Sequence, residues 1–314
     1  MAPGIIALIV VLVALFIIGF PIFVTPVVIY IALLVRTSKK KWRRDWPRKD
    51  AEESQMMEEG KVFGEENKDY IRIVQIENEG YKLFANYVDY GSDKAVIVIP
   101  GRSEAGSYGY YFSGVYKKNG YNILSIDNRA HGLSSGVINR IGFEEYKDIL
   151  AWGRYLHDSL GIKEVIIHAI CIGSSMSLYA LTDDSCPDYM KGMVAEGMYV
   201  NFAESFANHI REAKKPLFPI HHLVMLLIRI FSHKSPTKFG PINCIGKMKK
   251  PILFLYSKMD AYSTPDQAQL LYDSCNAPKQ LVWFDKGVHS HIRINNTQQY
   301  DDAVDSFIHE FIEK

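Results

Sequence analysis

The stretch VIIHAICIGSSMSLYAL, residues 165–181, sets the fold. Its first half, Val165 to Ile170, is a short apolar run rich in β-branched residues, the pattern of a strand covered on both faces. Its second half carries Leu178, Ala180 and Leu181 and reads as a helix opening just after Cys171. A strand that turns sharply into a helix brings two backbones close, so the residues two before and two after the turn must be small. Ala169 and Gly173 meet that demand around Cys171.

Working outward, similar buried-strand runs occur at Ala95 to Ile99, Asn122 to Ile126, Gly192 to Ala195 and Ile252 to Tyr256. Between them lie helical patterns such as Phe143 to Leu160, which ends at Gly161. Tyr70 to Ile76 and Tyr81 to Tyr90 alternate around Glu79-Gly80, a hairpin pattern. An antiparallel start followed by alternating strand and helix predicts an α/β fold: a mostly parallel central sheet with helices on both faces. Residues 198–250 leave the sheet for a stretch too long for an ordinary loop, which predicts a small helical cap containing the apolar run His222 to Phe231. Reactive groups in such sheets collect at the carboxyl ends of the strands.

Composition bounds the rest. With 314 residues, 48% of them hydrophobic, the chain has enough for one large core and an appendage. A net charge of +1 excludes a global field for nucleic acid. Cys171, Cys186, Cys244 and Cys275 lack CxxC spacing, which excludes a zinc knuckle or dithiol pair; no metal and no cofactor are expected. Residues 4–35 contain no charged side chain, and about 20 such residues cross a bilayer's hydrocarbon core, so an N-terminal transmembrane segment is expected, residues 1–36 forming the anchor. Pro21 and Pro26 leave open a single span or a re-entrant hairpin. Arg36, Lys39, Lys40, Lys41, Arg43 and Arg44 follow it, and the positive-inside rule then turns the following domain toward the cytoplasm. Residues 37–69 read as a basic and then acidic linker, and 70–314 as the folded domain.

The AxCxG segment at residues 169–173 resembles the GxSxG elbow of the α/β-hydrolase superfamily, and is similar to the cysteine version of dienelactone hydrolases. Ile99-Pro100-Gly101-Arg102 resembles the turn that completes an oxyanion hole, and DNRAHGLS at 127–134 is similar to the family's DxRGHGxS loop. The resemblance, broadly to monoacylglycerol lipases, lysophospholipases and serine-aminopeptidase-like hydrolases, covers residues 70–314 apart from the cap. It implies Cys171 as nucleophile, Asp260 as acid, His289 as base, and the amides of Arg102 and Ile172 as oxyanion donors.

Alternatives stand beside these. Ser174 or Ser175 competes as nucleophile, His291 as base and Glu196 as acid or as a carboxylate holding the Gly197 turn. Glu104 lines the mouth or faces water, His168 sits inside a strand as a core histidine, and Asn295 matches a glycosylation acceptor. The expected activity is acyl hydrolysis of an ester or thioester, on a small-molecule or lipid substrate met at the membrane through residues 4–35. The competing readings are an acyltransferase, a non-catalytic binding or scaffold protein, and a redox-sensing thiol.

Overall fold

In a computed structural model, which describes residues 3–45, 47–48 and 50–313, the apolar runs assemble into one eight-stranded sheet. The strands are β1 (Ile71–Asn78), β2 (Tyr81–Val88), β3 (Lys94–Ile99), β4 (Asn122–Ile126), β5 (Glu164–Ile170), β6 (Met190–Glu196), β7 (Ile252–Ser257) and β8 (Lys279–Phe284). Their spatial order is β1-β2-β4-β3-β5-β6-β7-β8. β2 pairs antiparallel with β1 and β4, and all pairs from β4 to β8 are parallel. The first hairpin turns over Glu79 and Gly80, both with positive φ (49° and 78°), as a two-residue hairpin loop requires.

The helices are α1 (Pro3–Leu34), α2 (Ala51–Glu66), α3 (Gly114–Lys118), α4 (Tyr146–Arg154), α5 (Ile172–Leu181), α6 (Phe202–Glu212), α7 (Ile220–Ser232), α8 (Pro241–Cys244), α9 (Pro265–Ser274), α10 (Ile292–Asn295) and α11 (Thr297–Phe307). Side chains of the central strands alternate between two cores. Ile97, Ile167, Met193 and Phe254 meet α4, α5 and α9 on one face. Val96, Ile166, Val194 and Leu253 meet α3 and α11 on the other. The helix expected from Phe143 begins only at Tyr146. The Glu145 carboxylate instead accepts the amides of Arg140 (2.6 Å) and Gly142 (3.0 Å), which folds that stretch into a turn.

The cap is α6 to α8, between β6 and β7. The uncharged N-terminal segment is one helix, α1, with Pro21 and Pro26 inside it, so the bend of a hairpin is not formed. Several side chains between Ile6 and Ile18 lie outside the described residues, and among the described residues no helix is long and apolar enough to cross a membrane. The end of α1 packs on α7, with Tyr30 stacked on Phe231 at 5.2 Å. Lys41 Nζ donates to the last carbonyls of the helix, those of Ile31 (3.0 Å) and Ala32 (2.9 Å), and so satisfies groups a helix end leaves open.

The basic stretch read as part of a linker lies along the domain. Arg36 donates to the Gly132 carbonyl at 2.8 Å, and Arg44 to Asp127 at 2.9 Å and Asn86 at 2.6 Å. Arg48 reaches the Ser103 carbonyl at 3.3 Å. α2 then starts at Asp50, whose carboxylate caps the Glu53 amide at 3.0 Å, and packs on the segment Gly106–Phe112.

Gly173 marks a tight helix-on-sheet approach near the strand ends: a Cβ there would lie 2.7 Å from the Ile99 carbonyl oxygen and 2.9 Å from that of Pro100. Both are backbone atoms and cannot swing aside. Gly173→Ala is therefore expected to lower stability by about 2 kcal/mol or more, read as a drop in urea midpoint with unchanged slope.

Candidate active site

The turn after β5 holds Cys171 at φ 55° and ψ −118°, a strained conformation for a residue with a side chain. Its amide donates to the Glu196 carbonyl at 2.9 Å, which ties the turn to the end of β6. The competing serines are buried and do not line the cavity beside the sulfur. The Ser174 hydroxyl lies 2.8 Å from the Ala169 carbonyl and 3.0 Å from that of Glu196, and both Ser174 and Ser175 are fully buried. Cys171 instead borders a cavity of about 350 Å³, together with Ile172, Arg102 and His289.

Asp260 and His289 come from the loops after β7 and β8 and meet there. His289 Nδ1 donates to Asp260 Oδ2 at 2.7 Å. The other carboxylate oxygen, Oδ1, accepts the amides of Tyr262 and Ser263, both at 2.8 Å, so the acid is fixed from two sides. Burial alone would push the imidazole's pKa down. Asp260 and then the Cys171 thiol outweigh it, and the pKa stands well above the ordinary histidine value. The thiol is thus close enough to act on the ring, and Nε2 is buried without a hydrogen-bond partner among the described residues. Gly197, at φ 58°, leaves room for the ring: a Cβ there would come within 3.1 Å of His289 Cε1.

The amides of Arg102 and Ile172 donate to no protein group among the described residues, and both residues line the cavity beside the sulfur. The loop at 127–134 positions the first of them. His131, fully buried, has Nδ1 2.8 Å from the Arg129 carbonyl and Nε2 against that of Arg102, and its other support is the Trp42 ring stacked at 4.5 Å. Burial lowers its pKa to about 4, so it works as a neutral strut. Asp127 accepts the Gly106 amide at 2.6 Å and that of Leu133 at 2.9 Å, and Arg129 is held by Asp148 at 2.5 Å.

The remaining sequence candidates fall into place around this pair. His291 is paired with Glu52 at 2.7 Å, an α2 residue, rather than with Asp260. Glu196 is fully buried and accepts the Tyr300 hydroxyl at 2.7 Å; it holds neither His289 nor, by its side chain, the Gly197 turn. Burial raises its carboxyl to about 7. Glu104 lines the cavity mouth, lies against Gly101 and stands 3.8 Å from Arg48. His168 is a core residue bridged by Tyr116 (2.7 Å) and Tyr300 (3.0 Å). The Asn295 amide donates to Glu52 and to the His291 carbonyl. Among the described residues no cluster of His, Cys, Asp or Glu could hold a metal ion.

Several wall residues had no sequence signal. Tyr199, Phe202, Ser205 and His209 come from the cap side, Tyr262 from the acid loop, and Asp50 and Glu53 from the start of α2. His209 stacks on Tyr262 at 3.5 Å, and Tyr262 sets its edge to His289. Burial, and then Glu104 across the mouth, push the Glu53 carboxyl up. A capping pattern before a helix points to Asp50 as an N-cap, but nothing local points to its place at a cavity.

A histidine whose folded pKa is raised stabilises the fold fully below its unfolded value, near 6.5, and that contribution is lost as pH rises through the folded value. Urea midpoints of the wild type are expected to fall across the alkaline side of that window. In Asp260→Asn the first cause of the raised pKa is gone, so the His289-linked part of that slope should flatten; an unchanged slope would show that His289 is not governed by Asp260.

Comparisons with known proteins bear on the frame. Residues 94–224 match the α/β hydrolase fold family. A Bacillus subtilis (strain 168) protein, the uncharacterized protein YqkD, is 28% identical over 192 residues, 60% of this chain; the match spans 62% of that protein's length. The Pyrococcus furiosus esterase Pf2001 superposes with a TM-score of 0.67 at 22% identity, covering 79% of this chain and 94% of the esterase. A Pyrococcus horikoshii acylaminoacyl peptidase superposes with a TM-score of 0.60 at 18% identity, over 78% of this chain and 42% of the peptidase. With the strand order, the elbow after β5 and these likenesses together, the chain has the α/β-hydrolase fold.

Proposed function

We propose that this protein is a membrane-anchored acyl hydrolase that cleaves an ester or thioester through a Cys171–His289–Asp260 triad and an acyl-cysteine intermediate. The observation that carries the reading is the convergence at one cavity of a strained elbow cysteine, a histidine bound to a carboxylate, and two unengaged amides. The fold's likeness to an esterase and to a peptidase supports acyl chemistry as the class.

In this reading His289 takes the proton of the Cys171 thiol, and Asp260 favours the imidazolium that results. Sulfur attacks the substrate carbonyl, and the developing oxyanion is held by the Arg102 and Ile172 amides. The tetrahedral species collapses, and His289 Nε2 gives its proton to the leaving group. Neutral His289 then takes a proton from water, whose oxygen attacks the thioester and restores the thiolate. The absent hydrogen bond at Nε2 fits this order of events, because catalytic hydrogen bonds are often long until substrate is bound.

Anchoring through α1 is supported by its exposed apolar side chains, among them Val10, Phe16, Phe20 and Phe23, a surface costly to leave in water. The basic residues that follow support a cytoplasmic side for the hydrolase domain, by the positive-inside rule.

Incubation with an activated acyl ester, followed by intact mass and peptide mapping, is expected to find a hydroxylamine-sensitive acyl group on Cys171. Cys171→Ala should lose the adduct and roughly 10³-fold or more in turnover, whereas Cys171→Ser should keep measurable ester cleavage. Equal acylation of wild type and Cys171→Ala would overturn the assignment.

A further inference from the structure

The cap is charged very unevenly. Residues 213–250 contain eight lysines and arginines and no aspartate or glutamate, in a chain whose net charge is only +1. At its centre α7 buries Val224, Met225 and Ile228 and leaves His222, Leu226, Arg229 and Ile230 on the opposite stripe. Leu226 is 50% exposed, Ile230 53% and Phe218, just upstream, 76%. An apolar ridge bordered by cations and free of acids suits the headgroup zone of an anionic bilayer.

The position of α1 points the same way. Its 32 residues extend about 48 Å at ~1.5 Å each, whereas the hydrocarbon core is about 30 Å thick. The last turns remain beyond that core, and they are the ones that pack on the domain: Pro26, Tyr30 and Leu34, spaced four apart, are buried. Their contact is with α7, so α7 is brought to the bilayer surface by the helix beside it.

We propose that α7 and its flanking basic loops lie on the anionic face of the bilayer that holds α1, with Phe218, Leu226 and Ile230 entering the interface. The same apolar cluster that joins Tyr30 and Leu34 to Val224 and Met225 continues to Phe202, Tyr199 and Ile172 at the cavity. A lipidic acyl chain drawn from the membrane then meets the cap on the side that faces Cys171. The inference rests on α1 lying in a bilayer and not on any role of Cys171.

The full chain, carrying a benzophenone amino acid at Leu226 or Ile230, is reconstituted in phosphatidylcholine vesicles with and without phosphatidylserine and irradiated. The same label at Phe16 reports the anchor, and at Leu270, half exposed on α9, reports background. Lipid adducts are expected at positions 16, 226 and 230 with phosphatidylserine present. At 226 and 230 the yield should fall about fivefold or more without it, or when Lys214, Lys215 and Arg229 are changed together to glutamine. Adducts at 16 but none at 226 and 230 overturn the docking and leave the anchor standing. Protein–protein adducts at 226 and 230 overturn it in favour of a contact between copies. Adducts at none of the three overturn the anchor reading as well, and labelling at 270 as strong as at 230 removes the specificity the proposal requires.

Discussion

The molecule depends on one close approach, that of the β5–α5 turn to the end of β3. A residue with a side chain sits there at positive φ, which costs of order 1–3 kcal/mol and persists only where the surroundings over-determine it. Here they do. The Cys171 amide is held by the Glu196 carbonyl, the Ser174 hydroxyl lies within reach of two carbonyls, and Gly173 lets the helix rest on the carbonyls of Ile99 and Pro100. The same approach brings the end of β3, with Gly101 and Arg102, beside the sulfur. The sharp turn at Cys171 and the placing of the Gly101–Arg102 turn beside it are therefore two consequences of one packing contact.

Around that contact the chain builds supports from distant segments. Asp260 is fixed by two amides before it receives His289, and Gly197 leaves the space the imidazole needs. The Arg102 turn is braced from beneath by His131 and from the N-terminal side by Arg48 on its neighbour Ser103. The segment between α1 and β1 is thus part of the site's scaffold. It joins the apolar helix to the cavity by a path of specific contacts: Lys41 on α1, Arg44 on Asp127, and Glu52 on His291.

Much of this was legible in the sequence, for identifiable reasons. Short β-branched runs between turn residues marked the strands, because covered parallel strands need apolar side chains on both faces. Ala169 and Gly173 marked the elbow, because only small residues allow it. Asp260 and His289 were named through the resemblance to the α/β-hydrolase superfamily, and the structure brings their side chains within 2.7 Å. What was not legible depends on long-range pairing. Arg36, Arg44 and Arg48 look like a solvated basic cluster, and their partners at Gly132, Asp127 and Ser103 lie dozens of residues away. Asp50 and Glu53 look like helix-start acids, and only the fold carries them to the cavity. His291 shares a motif with His289, yet Glu52 turns it aside. The helix start at Tyr146 depended on which amides the Glu145 side chain would take.

In the proposed mechanism sulfur, imidazole, carboxylate and two amides act on one carbonyl. A crystal structure of the protein trapped with a slowly released acyl ester tests it most directly. The expected result is a carbonyl carbon bonded to Cys171 Sγ, its oxygen about 3 Å from the amide nitrogens of Arg102 and Ile172, and His289 Nε2 facing the position of the departing group. An acyl group on another residue, or a carbonyl oxygen turned away from both amides, would contradict it.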